Sequence, residues 1–388
     1  MARWDLIVVG LGAVGSATLR AAAEAGARVL GLEQFSPANE RGSSHGRSRI
    51  FRHAYFEHPD YVPLLLHSTA RFESLETESG DSLLNRCGML VMGPAGSATV
   101  QGSLDSAARW RLPVQALEAP VLRERFPWFS VADGTLGAFE ANAGIVRPEA
   151  VVEASVRVAR ARGAEVRLGT RVLGIVEDDT GVAVQTGAGV VRGSAAVLAA
   201  GPWAARLLPE LARWLTVTRQ VQAWFAPMPA VDASAMPCWL YDRGPERRAI
   251  YGLAPDCGGP AAASAAPSQV AHCHKVGLHG SDVVIDPDAG APPVVGQDIA
   301  VLRKALDEVA PRLNGPLVEA ATCLYTMSPD THFLVGAGRG GRRTYFAAGL
   351  SGHGFKLSPA LGDALADLAL RGRTSLPVAF LSPDRFAD

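Results

Sequence analysis

Apolar and polar positions along the chain fall into three blocks with the rhythm of strands alternating with helices. In the first, Leu6-Ile7-Val8-Val9 is an apolar run of strand length. Gly10-Leu11-Gly12-Ala13-Val14-Gly15 interrupts it, an alanine-rich helical stretch follows, and Arg28-Val29-Leu30-Gly31-Leu32-Glu33 reads as a second strand. Strand, turn, helix and strand in that order make a βαβ unit. The second block, residues 148–211, holds a helix over 149–161, short strands near Val166 and Val172, and the alternation Val182-Ala183-Val184. It closes on the buried-type strand Ala195-Ala196-Val197-Leu198. The third is a strand over 344–348, a glycine-rich turn and a helix from about Ser358.

The stretches between these blocks carry more aromatics, prolines and strand-like patches. The expected fold class is α/β: a Rossmann-like dinucleotide domain (1–86, 146–215 and 323–388) into which a second, α+β domain (87–145 and 216–322) is inserted twice. Residues 258–269 are rich in Ala, Ser and Pro and read as a loop. No internal repeat interrupts this pattern.

Composition narrows the function classes. Of 388 residues, 48% are hydrophobic and 19% charged, the profile of a soluble globular protein. A net charge of −1 provides no basic field for nucleic acid or an anionic membrane. No apolar run reaches the ~18 residues that spanning a bilayer requires. The N-terminal apolar run reads as a strand entering a glycine turn and not as a signal peptide. The five cysteines (Cys87, Cys238, Cys257, Cys273 and Cys323) are scattered and form no CxxC pair, so a disulfide framework or structural zinc is not expected and a reducing cytoplasm is.

Gly10, Gly12 and Gly15 form G-x-G-x-x-G between a strand and a helix. The first glycine permits the turn, the second lets a pyrophosphate approach the backbone, and the third lets helix and strand pack closely. Phosphate then meets unpaired N–H groups at the positive end of the helix. Glu33, at the end of the next strand, is placed to bind ribose hydroxyls and argues against a 2′-phosphate. The motif alone leaves NAD and FAD both open.

The choice narrows at Ser43-Ser44-His45-Gly46-Arg47-Ser48-Arg49-Ile50-Phe51-Arg52-His53-Ala54-Tyr55. This segment resembles the monomeric sarcosine oxidases and N-methyltryptophan oxidases, within the amine-oxidase group that includes D-amino-acid and glycine oxidases. The resemblance continues in order through Leu198-Ala199-Ala200-Gly201-Pro202-Trp203, Lys275-Val276-Gly277-Leu278-His279, Cys323-Leu324-Tyr325-Thr326 and Ala347-Ala348-Gly349-Leu350-Ser351-Gly352-His353-Gly354-Phe355-Lys356. It implies an FAD domain, a substrate domain with a large mixed sheet, and a monomer acting on a small amine or amino acid with oxygen as acceptor.

The resemblance also implies roles. Arg52 and Lys356 would hold a substrate carboxylate, with Tyr251 and Glu57 beside the substrate. Lys275 would lie against the flavin and assist its reaction with oxygen; Arg49, His279, Tyr325 and His45 complete the expected catalytic set. The cofactor would be lined by Gly10, Gly12, Ala13, Val14, Gly15, Glu33, Gln34, Ser44, His45, Arg49, Val172, Gly201, Trp203, Gly352, Gly354, Phe355 and Lys356. Cys323 would be joined covalently to the flavin 8α carbon.

These residue types suit those tasks. Arginine grips a carboxylate through parallel hydrogen bonds. A cation beside reduced flavin would stabilise developing superoxide. Arg49 and Arg52 stand an odd number apart on an extended segment, so they point to opposite faces. His272, Cys273, His274 and His279 lie close in sequence, but no carboxylate completes a set and no metal is expected. The 258–269 loop, longer than the family norm, leaves substrate size open. The reading is therefore an FAD-dependent oxidase of a secondary amino acid, N-methyl or cyclic, forming an imine and hydrogen peroxide. The alternative is a dehydrogenase on the same fold that passes electrons to another acceptor.

Overall fold

A computed structural model describes residues 3–228, 233, 235–256, 270, 272–338, 341 and 343–386. The 258–269 loop lies outside the described residues.

The first apolar run is the strand Trp4–Val9, and it sits at the centre of an α/β sheet. It pairs in parallel with Val29–Leu32 on one side and with the second half of Gly189–Leu198 on the other. The strands Glu165–Arg167 and Thr344–Ala348 extend this parallel core, and Val172–Asp178, Gly181–Thr186 and Leu334–Ala337 add antiparallel edges. Leu6, Ile7, Val8, Leu30 and Leu198 are wholly buried because helices cover this sheet. That accounts for their unbroken apolar sequence. The helices Ala13–Glu24, Pro148–Ala161 and Ser358–Arg371 pack together on it. A side chain at Gly362 would lie 2.6 Å from the Ala17 Cβ, so this glycine sets the close approach of two of them.

The second large sheet has the order Leu317–Met327, Thr216–Phe225, His274–Leu278, Ile250–Leu253, Cys238–Tyr241, Met89–Gly93, Leu136–Glu140, Val114–Glu118. It is mixed: Cys238–Tyr241 runs parallel to Met89–Gly93 and the remaining pairs are antiparallel. Leu317–Met327 pairs with Thr216–Phe225 along nearly its whole length. The large sheet therefore continues past residue 322, the expected boundary, and carries Cys323 within it. The Lys275 strand begins at His274, which leaves His272 outside it. A small third sheet joins Arg49–Phe51 to Gly144–Val146 and Leu84–Asn85. It hangs Arg49 and Arg52 between the two large sheets. Among the described residues no helix is long and apolar enough to cross a membrane.

Candidate functional site

Gly10 leaves the central strand at φ 86°, where a Cβ would stand 2.6 Å from the Ala199 carbonyl oxygen. At Gly15 a Cβ would stand 1.8 Å from the Gly10 carbonyl oxygen. The turn therefore requires glycine at both places. The helix Ala13–Glu24 then starts at Gly12 with no side-chain cap, so its first N–H groups face outward. Ser44 Oγ accepts from the Ala13 N–H at 3.1 Å, and Glu33 accepts from the N–H groups of Leu11 (2.8 Å) and Phe35 (2.9 Å). Glu33 is thus anchored at the mouth of the turn, with lone pairs left for a ribose. A helix start whose N-cap glycine brings no side chain, with only Ala13 met by Ser44, is a cradle for phosphate, and the residues present fit a dinucleotide.

From this cradle one cavity runs to the second sheet, with an empty volume of about 2080 Å³ including its open mouth. Its lining runs without a break from Gly10, Gly12 and Glu33 to Arg52, Tyr251 and Lys356, so the dinucleotide cradle and the buried cations face one space. Every expected site residue lines it except Gly15 and His45. Gly15 is spent on the helix–strand contact. His45 is buried beside the wall; burial first and Arg49 second push its imidazole down to about 4, so it is neutral.

The middle of the cavity is cationic. Arg49 donates to the carbonyls of Ser48 and Ser43 (both 2.9 Å), and its Nη2 lies 3.5 Å from the buried Cys323 Sγ. Lys275 is 2% exposed and donates to the Gly46 carbonyl (3.0 Å), the Ser48 carbonyl and Gln222 Oε1 (3.2 Å). Burial, with Arg49 adding to it, drives the Lys275 amine well below the usual lysine range.

Beyond lies a cluster of opposite character on each side. Arg52 is buried, places Nη2 at 2.8 and 2.7 Å from the two Glu57 oxygens, donates from Nη1 to the Ala54 carbonyl, and packs against the rings of Tyr55 and Phe56. Its Nε–H and one Nη1–H remain. Burial opposes ionisation of Glu57, but Arg52, then His353 and Lys356, outweigh it and hold the carboxyl down to about 2. Lys356 sits in the 3-10 turn Phe355–Leu357 that precedes the helix Ser358–Arg371, and it is buried. It donates once, to the His353 carbonyl at 2.9 Å. Burial and then Arg52 lower it to about 7.

His353 Nε2 meets the Thr331 carbonyl at 3.0 Å and therefore carries the proton, so Nδ1 accepts from the Tyr55 hydroxyl at 2.6 Å. The opposite wall holds Tyr251 and Tyr325, whose hydroxyls are hydrogen-bonded, and His279, 5.8 Å from the Tyr325 ring. Burial raises both phenols and lowers His279, so all three are neutral at pH 7.

Sequence reasoning passed over three residues. Gln222 joins Lys275 to Arg49; the signal in the sequence was the alternation of Gln220 and Gln222 in a strand that ends on Ala223-Trp224-Phe225. Glu140, 3% exposed, accepts from the backbone N–H groups of His53 and Ala54 and from His53 Nδ1 (2.6 Å), pinning the turn that presents Arg52. Glu149 accepts from the N–H groups of Gly46 and Arg47 and pins the segment before Arg49. Neither carboxylate carries a local motif, since both act on backbone distant in sequence.

Comparison with known proteins agrees with this geometry. The model of the FAD-dependent oxidoreductase family matches residues 5–368. The chain is 36% identical over 388 residues to a monomeric sarcosine oxidase of Streptomyces avermitilis, covering 99% of this chain and 98% of that protein. It is 35% identical over 376 residues to an N-methyl-L-tryptophan oxidase of Salmonella dublin, covering 96% of each. Among solved structures, NikD, described as an unusual amino acid oxidase essential for nikkomycin biosynthesis, superposes with a TM-score of 0.83 at 26% identity, over 99% of this chain and 98% of that one. Glycine oxidase of Geobacillus kaustophilus, with a TM-score of 0.75 at 21% identity over 98% of each chain, shares the fold. With a glycine cradle for a dinucleotide opening into a buried cationic pocket, and with relatives alike over their full length, the chain belongs to the family of FAD-dependent oxidoreductases.

Proposed function

We propose that the protein oxidises the C–N bond of a secondary amino acid, N-methyl or cyclic, and that oxygen is the final acceptor and leaves as hydrogen peroxide. One observation carries the reading: a single cavity joins the phosphate cradle at Gly12 to the buried cations Arg52 and Lys356. A buried charge is costly unless an opposite charge meets it. Glu57 offsets one of these cations, which leaves the Arg52–Glu57–Lys356 cluster one positive charge in excess while Lys356 is protonated. A substrate carboxylate supplies the missing anion. It takes the remaining Arg52 donors and the two free N–H groups of Lys356.

FAD, when bound, would supply the two-electron oxidation. The chain supplies the rest. Gly10, Gly12, Ala13, Ser44 and Glu33 hold the dinucleotide, and Arg52 and Lys356 fix the carboxylate. Tyr251, Tyr325 and His279 form a neutral wall that keeps water from the amine. Lys275 offers a positive charge where oxygen would gain electrons. Cys323 would be the covalent anchor, its buried sulfur on the cavity wall 3.5 Å from the Arg49 guanidinium. In this reading residues 1–86, 146–215 and 323–388 bind FAD, with Cys323 reaching it from the shared strand, and the rest forms the substrate unit. The protein works as a monomer in the cytoplasm.

The test is a titration of the flavin spectrum with acetate-type ligands. Lys356→Ala should weaken binding by about 1.5–3 kcal/mol, a charge-assisted hydrogen bond, and Arg52→Lys by less. Wild-type affinity in both variants would move the anion site elsewhere. Oxygen uptake with peroxide release separates the oxidase from a dehydrogenase that uses another acceptor.

A further inference from the structure

Gln222 lies on the strand Thr216–Phe225, 2% exposed, with its amide against Gly46, where a Cβ would collide with it at 2.5 Å. Its Oε1 accepts from Lys275 Nζ at 3.2 Å and faces Arg49 Nη1 at 3.4 Å. The orientation is dictated by charge, because turning the amide over would aim two N–H donors at two cations. Nε2 consequently points away from them, and it finds no hydrogen-bond partner among the described residues although it is buried in the cavity wall. An unpartnered buried amide is costly, so an unpaired donor on a residue that lines a ligand cavity points to an acceptor brought by the occupant.

We propose that Gln222 is a positioning residue for the flavin reaction: its Oε1 holds the Lys275 ammonium and the Arg49 guanidinium side by side, and its Nε2 is kept open for an acceptor on the bound cofactor. The inference rests on the oxidase reading only for the identity of the final acceptor. Without the shared oxygen, two cations in a dry site would repel one another, and the Lys275 amine would lose one of its three acceptors. The remaining groups acting on Lys275 are Arg49 and His45 from the segment before and within the small sheet, and Glu149 from the helix Pro148–Ala161. Cys323 and Cys238 act from the large sheet, and the Trp224 ring from the strand of Gln222 itself. None of these side chains accepts a hydrogen bond from its Nζ, so none replaces Gln222.

The test is the flavin midpoint potential of the holoenzyme as a function of pH, an equilibrium quantity independent of the acceptor. Deprotonation of Lys275 puts a break in this curve, identified by its disappearance in Lys275→Met. Gln222→Met should move the break down by about one pH unit and Gln222→Glu up by a similar amount, each the equivalent of one hydrogen bond or charge at the ammonium. Opposite shifts from two variants at one position are not what a merely structural role produces. In stopped flow, Gln222→Met should slow the reaction of reduced enzyme with oxygen roughly tenfold, while reduction by substrate changes by less than about threefold. If Gln222→Met fails to fold, Gln222→Glu and Gln222→Asn carry the same comparison. A break that stays in place, or moves the same way in every variant, overturns the proposal. If reduced wild-type enzyme ignores oxygen, the oxidase reading fails and the potential curve still decides the role of Gln222.

Discussion

At the scale of single residues, the site is governed by how deeply its cations are buried. Lys356 is held to about 7, so carboxylate affinity should depend on pH. The attraction is complete while the amine is protonated and fades as pH rises through that value. Glu57, held to about 2, stays ionised throughout and adds no slope. The dissociation constant of an acetate-type inhibitor should therefore rise between pH 6 and 9, by up to about tenfold per unit, and Lys356→Met should flatten the curve. Cys323 gives a second expectation: flavin should stay with acid-precipitated protein and pass into the supernatant for Cys323→Ser. A wild-type precipitate that loses its colour would end the covalent proposal. Lys275→Met should slow flavin reoxidation by about a hundredfold to a thousandfold, the loss of one cation at a developing anion, as measured by stopped flow.

At the scale of elements, the turn after Arg49–Phe51 is held from a distance. Glu140 ends a strand of the large sheet and satisfies His53 and Ala54. His53 Nε2 in turn meets Thr69 Oγ1 at 2.8 Å, on the helix Val62–Ser79. Removing Glu140 strands an imidazole and two backbone N–H groups in the core, so Glu140→Ala should cost about 3–5 kcal/mol in denaturant unfolding. Burial works against its ionised form, but His53 and the backbone N–H groups prevail and the carboxyl is held low. Its stabilisation is thus present above the ordinary carboxylate range and lost on acidification. The gap between wild type and Glu140→Gln should narrow below about pH 4.

At the scale of the whole molecule, the ligand cavity is shared by the two large sheets, each with its own core. A ligand that touches both links their stabilities. An acetate-type inhibitor at 100 times its dissociation constant should add about 2.7 kcal/mol by mass action. The gain should appear as one shifted thermal transition in wild type and be much smaller in Lys356→Ala at the same concentration.

The sequence by itself determined the βαβ unit, its glycine turn and the second and third α/β blocks. Each is written locally, in a run of apolar residues, a steric requirement for glycine, or a helical period. Through the family resemblance it also named site residues, all of which except Gly15 and His45 line the cavity. Only the tertiary structure decided which charges meet. Glu57 neutralising Arg52, Glu140 pinning His53, Glu149 pinning Gly46, and Gln222 between Lys275 and Arg49 are contacts between segments brought together by sheet pairing. No periodicity announces such pairs, because a buried charge or amide is explained by its partner, and the partner is chosen by the fold.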